Sequence, residues 1–519
     1  MVVVTTSADG AGVLRWRPGA TASPVLDLDA TDAHGAAAVD LRAPEELRGA
    51  FAGAWTDASG RLHLVRDPLG HRSLYVHEAA DGSVAVSTRI GALLRSGAPA
   101  RLDPAGLLLY LATSYVPGAR TLVRGVEALP PGVHRVYERG GRVDRPLWDL
   151  PAAPTVYAEE DALRRRLRAT LEATVARMLP AGPVAASVSG GIDSSLVAAV
   201  AHHLGAAVTT FSITFGPPHA DELAWSGLLA RHLGVPHLPV LVRPEDVVAG
   251  LDRTVGALSE PNGDPLTVPN HLMFEAARAR GLDVMLNGEG GDPCFGGPKN
   301  APMMLAELYG DQRPLAREHD YLRAHQRMWD DLPALARGEL AEVLATGLAE
   351  GCVTPWLDDP RWPSRLDRLM ALNVAWKGAG HILPKVEHLG QLSGVRARSP
   401  LFDREVVDLA FQIPARLKRA GAVEKHLLKA AVADLVPEAI RERPKSGMMV
   451  PVESWFSGPL AGFAAERLLD GALPFDCIDR GWVEALVRGR TGGLRPRRGV
   501  KIWLLLTLEA WIRRVLRAE

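Results

Sequence analysis

The sequence predicts an α/β protein, with a β-rich amino-terminal domain over residues 1–150 and a parallel-sheet domain over residues 158–519 that continues into a helical C-terminal elaboration. Three observations predict it. Short alternating segments such as RLHLVRD and GSVAVSTRI, separated by Asp-Gly, Ser-Gly and Pro-Gly turn signals, crowd the first portion. Strand-like and helix-like runs then alternate from VAASV to HLPVLV, as in a parallel sheet covered on both faces. From about Ala301 onward helical patterns dominate, punctuated by Gly and Pro.

Taken in order, the proline-bearing stretch DLPAAPTVYAEED reads as a linker between the two portions. Leu163, Leu167, Leu171, Val175 and Leu179 then recur every four residues, which places them on one face of a helix that stops at Pro180 and Gly182. VAASV is a buried-type strand, followed by a glycine break and the helical stretch SSLVAAVAHHL. VTTFSITF, a helix near Leu223 to Leu233, and HLPVLV continue the alternation, and LDVMLNGEGGD repeats the strand-then-glycine arrangement. The run IWLLLTLEAWI, Ile502 to Ile512, is too short to span a bilayer and contains Glu509, so it reads as a buried terminal helix.

Composition narrows the function classes. The 519 residues are 47% hydrophobic and 23% charged, enough for two or more buried cores. Lys plus Arg (59) against Asp plus Glu (60) leaves a net charge of -1, so no global field draws in nucleic acid or an anionic membrane. Cys294, Cys352 and Cys477 are scattered, without the paired spacing of a zinc site or a disulfide framework, which fits a reducing cytoplasm. The start MVVVTTSADG lacks the features of a secretory signal.

The glycine break is SVSGGIDSSLV, Ser187 to Val197. At the carboxyl end of a parallel strand the next helix presents unpaired N–H groups and the positive end of its dipole. There Ser189, Gly190 and Gly191 let the backbone approach an anion, Ser194 and Ser195 add hydroxyl donors, and Asp193 can hold magnesium against phosphates. A bare Gly-Gly-x-Asp would read equally well as a tight turn with Asp193 or Ser194 capping the helix. The full SGGIDSS, directly after a strand and before an alanine-rich helix, points instead to a polyphosphate. No G-x-x-x-x-G-K-[ST] occurs in the chain, so this is not a kinase-type phosphate loop.

SGGIDSS resembles the pyrophosphate loop of the ATP pyrophosphatases, and further stretches narrow the likeness to the asparagine synthetase family. NGEGGDPCFGG (Asn287 to Gly297) resembles that family's second ATP-side motif. RARSPLFDREVVDLAFQIP and EKHLLKAAVADLVPEAIRERPKSGMMVP resemble its C-terminal motifs. FAGAW, RDPLGHRSLY and RTLVRGVEALPPGVHRV resemble the later half of its N-terminal glutaminase domain, so that the likeness runs from about Phe51 to about Trp455.

The resemblance implies a reaction and a set of roles. A carboxylate attacks the α-phosphorus of ATP to give an acyl-adenylate and pyrophosphate, and an amine then displaces AMP to leave an amide. Asp193 and Asp292 would bind Mg2+, while Ser189, Gly190, Gly191, Ser194, Ser195 and Gly288 would hold the nucleotide. Ser212 and Ile213 would lie near adenine through their main chain. Lys425, within a helical stretch, and Lys445, inside RPKSGM, match family lysines near the phosphates, where a cation stabilises the transition state more than the ground state. Glu289 stands where asparagine synthetases carry a glutamate that positions or deprotonates the attacking amine and where β-lactam synthetases carry a tyrosine.

The chain departs from the pattern at its start. Glutamine-dependent members use an N-terminal cysteine as nucleophile, whereas this chain begins Met1-Val2 and has no cysteine before Cys294; Thr5 and Ser7 read as ordinary edge-of-strand residues. The expectation is a degenerate class II glutaminase-like scaffold over residues 1–150 and an amine supplied from elsewhere. Relatives that lack the cysteine include β-lactam synthetases and lasso-peptide macrolactam cyclases, and Glu289 argues against the first. The partners implied are small-molecule or peptide carboxylates and amines, with a homodimer or a peptide-maturation partner as the protein partners this reading admits. RGRTGGLRPRRGVK, Arg488 to Lys501, reads as a solvated connector, with a mobile phosphate-contacting lid as the alternative.

Overall fold

The short strands of the first portion form two antiparallel sheets that face one another. In the computed structural model the described residues are 3–6, 12–17, 25–29, 44–138, 141–219, 222–297, 300–309, 313–325, 328–443, 449–490 and 497–518. The strands are β1 (Val3–Thr6), β2 (Gly12–Trp16), β3 (Val25–Asp29), β4 (Ala50–Thr56), β5 (Leu62–Arg66), β6 (Tyr75–Glu78), β7 (Val84–Ser87), β8 (Val126–Ala128), β9 (Val133–Glu138) and β10 (Gly141–Pro146). One sheet runs β1-β2-β7-β6-β8 and the other β10-β9-β5-β4-β3. Leu14, Trp16, Val76, Val84 and Val86 of the first meet Ala52, Ala54, Leu62 and Leu64 of the second in a shared core. Thr5 lies on edge strand β1, opposite Val13, while Ser7 falls outside the described residues.

This β-rich portion also contains a helix, Pro104–Thr113, because PAGLLLYLAT is a continuous apolar run without strand alternation. The Asp103 carboxylate accepts from the N–H groups of Ala105 (2.8 Å) and Gly106 (2.9 Å), and proline opens the first turn. Every residue from Ala105 to Thr113 is buried. One face is covered by the C-terminal helix Arg498–Trp511, itself buried throughout Lys501–Trp511, with the Tyr110 hydroxyl donating to Leu504 O at 2.9 Å. The run read as a buried terminal helix is therefore one, and its charges are paired: Lys501 with Asp331 (2.5 Å), and Glu509 accepting from Arg467 Nε (2.8 Å).

The second portion opens with helix Glu160–Met178, whose Leu163, Leu167, Leu171 and Val175 are buried as their spacing requires. The stretch read as a linker has no regular structure before Glu159, yet it is fastened: Ala153 N donates to Arg361 O (3.0 Å) and Trp362 Nε1 to Pro151 O (2.9 Å). A five-stranded sheet follows, made of β11 (Val184–Ser187), β12 (Val208–Thr214), β13 (His237–Leu241), β14 (Val284–Leu286) and β15 (Arg396–Arg398). Its order is β13-β12-β11-β14-β15 and every pair is parallel. Val284, Met285 and Leu286 are fully buried, as a strand covered on both faces must be. Because Ala186 pairs with Leu286, β11 and β14 end side by side at the same edge, and the two glycine loops leave the sheet as neighbours.

Candidate active site

The first loop, Val188 to Gly191, turns sharply at Gly190, whose φ of +73° suits glycine; a Cβ there would lie 2.4 Å from Trp225 Cβ. Gly191 caps helix Ile192–His203 without any side-chain cap, so neither Asp193 nor Ser194 serves as the N-cap. Ser194 Oγ instead accepts from Ser189 N (3.0 Å) and lies 3.1 Å from Ser189 Oγ, closing the loop on itself. Ser195 is fully buried, its hydroxyl turned into protein, unlike the half-buried Ser189 and Ser194. Beyond Phe211 the β11 ladder has ended while β12 still pairs with β13 to Thr214, so Ser212 and Ile213 keep one main-chain edge clear of β11. The Ser212 hydroxyl donates to Val188 O, tying this edge to the loop.

The second loop, Asn287 to Gly290, interlocks with the first. A Cβ on Gly288 would meet Ser194 N at 2.3 Å, and one on Gly291 would meet Asp193 Cγ at 2.2 Å. Only glycine backbone allows this approach. Gly290, with φ of +107°, starts the short helix Gly291–Phe295, which carries Asp292 in its first turn. Cys294 of the same helix is fully buried, and burial pushes its thiol far above the ordinary range, so it is no nucleophile.

Asp193 and Asp292, separated by 99 positions in the chain, meet at Lys425. Lys425 Nζ lies 2.5 Å from Asp193 Oδ2 and 2.5 Å from Asp292 Oδ1. Burial alone would lower the Lys425 ammonium, but the two carboxylates hold it well above its ordinary value. The lysine is not inside a helix, as the surrounding pattern suggested. It follows a small hairpin, Arg419–Ala420 with Val423–Glu424, and caps helix His426–Ala431 with a left-handed φ of +55°. Beside it a cavity of about 670 Å3 is walled by Gly191, Lys425, Lys429, Arg441 and Arg443. Arg443 donates to Gly190 O (3.3 Å) and Glu222 Oε1 (2.7 Å) and lies 4.8 Å from the Trp225 ring, so it braces the first loop from outside. Lys445 lies outside the described residues, as do residues 491–496 of the suggested lid; Arg498 at the far end is anchored on Leu486 O (2.8 Å).

On the other side of the second loop stands a charged cluster that sequence reasoning missed. Half-buried Glu289 has its N–H on Asn287 Oδ1 (3.1 Å). Lys385, only 3% exposed, reaches Asp264 Oδ2 at 2.6 Å; against its burial, Asp264 first and Glu289 second hold its ammonium raised. Burial works to raise the Asp264 carboxyl, but Lys385 and then His381 bring it below the ordinary carboxylate range. Asn262 donates to His381 O (2.9 Å), and the Tyr115 and His381 rings meet in a tilted contact with centroids 5.0 Å apart. The one signal was the cluster EPNGDP, Glu260 to Pro265, which reads equally well as a turn.

The donor set suits magnesium. Two hard carboxylates, from neighbouring strand ends, converge on one cation position beside a cavity lined by Lys429, Arg441 and Arg443 as well as Glu424 and Glu442, and Mg2+ is commonly held by one or two carboxylates together with substrate phosphates. Among the described residues no group of three or more His, Cys, Asp or Glu could hold a metal ion. Among them, too, no helix is long and apolar enough to cross a membrane.

Comparison with known proteins agrees with this geometry. The asparagine synthase family matches residues 166–513, and the glutamine amidotransferase domain family matches residues 32–148. The chain is 28% identical over 512 residues to a Mycobacterium tuberculosis protein assigned as a glutamine-hydrolysing asparagine synthetase, covering 90% of this chain and 76% of that one. It is 24% identical over 499 residues to a Bacillus subtilis glutamine-hydrolysing asparagine synthetase (90% and 78% covered). It is also 28% identical over 413 residues to the carboxyethyl-arginine beta-lactam synthase of Streptomyces clavuligerus (79% and 66% covered).

Proposed function

This chain belongs to the asparagine synthase family, ATP-using ligases that form carbon–nitrogen bonds, and on that premise we propose that it is an AMP- and pyrophosphate-forming amide synthetase whose amine does not come from its own glutaminase chemistry. The observation that carries the reading is the convergence of Asp193 and Asp292 on one cation beside the glycine loops. The setting proposed is specialised metabolite or peptide biosynthesis in the cytoplasm.

In this reading the N–H groups of the first loop and the start of helix Ile192–His203 receive the β- and γ-phosphates, with Ser189 and Ser194 as hydroxyl donors. Asp193 and Asp292 would hold Mg2+, which when bound would supply positive charge against that growing on the departing pyrophosphate. Lys425 supports the same charge, with Lys445 as a second cation; Lys429, Arg441 and Arg443 line the way out. Ser212 and Ile213 offer main-chain groups to adenine, and Gly288, whose missing Cβ lets the second loop lie against Ser194 N, completes the nucleotide-binding wall. Glu289 accepts the amine's proton as the amide forms, kept in place by the Lys385–Asp264 pair.

The amine proposed is an external one: ammonia, a small molecule, or an amine already on the activated acid, as in lasso-peptide-type macrolactam closure. A second reading, an ammonia-using asparagine synthetase, is favoured by the carboxylate at Glu289 and by the relatives' named activity. Offering ATP, Mg2+, aspartate and ammonium separates them: asparagine as product selects the second. Nucleotide consumption that yields ADP instead of AMP removes both, and glutamate released from glutamine removes the external-amine proposal.

A further inference from the structure

Lys425 stands where a divalent cation would have to stand to touch both aspartates. Its ammonium is 2.5 Å from an oxygen of each, the side chain is 2% exposed, and its carboxylate partners are 12% and 32% exposed. Its backbone adopts a left-handed conformation that a residue with a Cβ enters at a cost, which is sustained only where the surroundings over-determine it. Glycine backbone backs each carboxylate: a Cβ on Gly291 would meet Asp193 Cγ at 2.2 Å, and one on Gly297 would meet Asp292 Oδ1 at 2.5 Å. Lysine and metal therefore compete for one position.

We propose that Lys425 is a resident counter-ion that keeps the Asp193–Asp292 pair closed to free metal, and that nucleotide and metal enter together, the phosphates drawing the ammonium off the carboxylates as the metal replaces it. This rests on the ATP-dependent reading above. The exchange conserves charge: two carboxylates lose one positive charge and gain two, while the lysine carries its charge to the polyphosphate. Its route is short, because Lys425 also lines the cavity formed by Lys429, Arg441 and Arg443. The consequence is an ordered entry in which metal without nucleotide is held out.

The test measures Mn2+ binding by electron paramagnetic resonance and calorimetry, on full-length wild type and Lys425→Met, with Mn2+ alone and with Mn2+ plus α,β-methylene-ATP. The expected result is a gain of at least tenfold in affinity for Mn2+ alone in Lys425→Met, abolished when Asp292→Asn is added. Should the methionine variant fail to fold, Lys425→Gln, which keeps a donor between the carboxylates, shows the same direction with a smaller gain. If both proteins bind Mn2+ with the analogue but the variants gain nothing for Mn2+ alone, the counter-ion proposal is wrong while the functional reading stands. If wild type binds no Mn2+ even with the analogue, the functional reading falls and takes this proposal with it.

Discussion

Replacing Glu260 by glutamine should make the protein's stability less sensitive to alkaline pH. Glu260 sits at the seam between the two portions, where its carboxyl oxygens accept from Leu122 N at 3.1 and 3.3 Å. Burial raises its pKa from 4.5 to about 8, opposed by the Leu122 N–H and assisted by Asp103. A raised carboxyl favours the protonated form in the folded state. Its stabilising effect is thus complete below about pH 4.5, declines as pH rises, and is gone above about 8. A shift of that size corresponds to a ceiling on the order of 5 kcal/mol at roughly 1.4 kcal/mol per unit. The residue retains some solvent contact, so about 2–3 kcal/mol is the expected share. For a chain of this length a kilocalorie moves Tm by roughly 1 °C. Glu260→Gln keeps an acceptor for Leu122 N and cannot ionise. Its Tm relative to wild type should therefore rise by about 2–3 °C between pH 5.5 and 8.5 in thermal melts at fixed ionic strength. A difference that stays constant over that range would refute the reasoning.

Three further outcomes are expected. Gly291→Ala places a methyl 2.2 Å from Asp193 Cγ and displaces that carboxylate, so AMP formation should drop by roughly 100-fold while circular dichroism stays unchanged. Lys385→Met should leave pyrophosphate release near wild type yet cut amide product by about 10- to 100-fold, with partial rescue by Lys385→Arg; equal losses in both would assign Lys385 to the acid instead. Trp148→Phe removes the indole hydrogen bond to Asp408 Oδ1 (3.0 Å) across the seam and should cost about 1–2 kcal/mol, read as a lower urea midpoint with activity retained.

Local pattern and long-range pairing differ in how far the sequence shows them. The parallel sheet was legible because each strand and helix carries its own period, and the two glycine loops because strand, glycines and acid follow within a few residues. That Asp193 and Asp292 share a site depends on β11 and β14 being neighbours, an order set by topology and suggested here only by family resemblance. The Lys385–Asp264 pair, 121 positions apart, was not legible, since Asp264 lies in a run, EPNGDP, that reads equally well as a turn, and Lys385 stands in no distinctive pattern. Lys425 looked helical because EKHLLKAA has helical spacing, but the preceding hairpin forces the turn that aims it at the aspartates. The helix Pro104–Thr113 was missed because turn signals on either side made the whole region read as β.

That helix has a consequence for any attempt to treat the two portions as modules. Its apolar circumference is covered largely by the second portion, with helix Gly338–Ala345 against it and Tyr110 reaching Leu504 O, so cutting near residue 150 would uncover Leu504 and its neighbours on one fragment and leave Tyr110 facing water on the other. The amino-terminal portion therefore cannot be removed as a unit without opening the interior of the other. Shuffling of these enzymes has to exchange loops around this joint, because the joint is itself the interior.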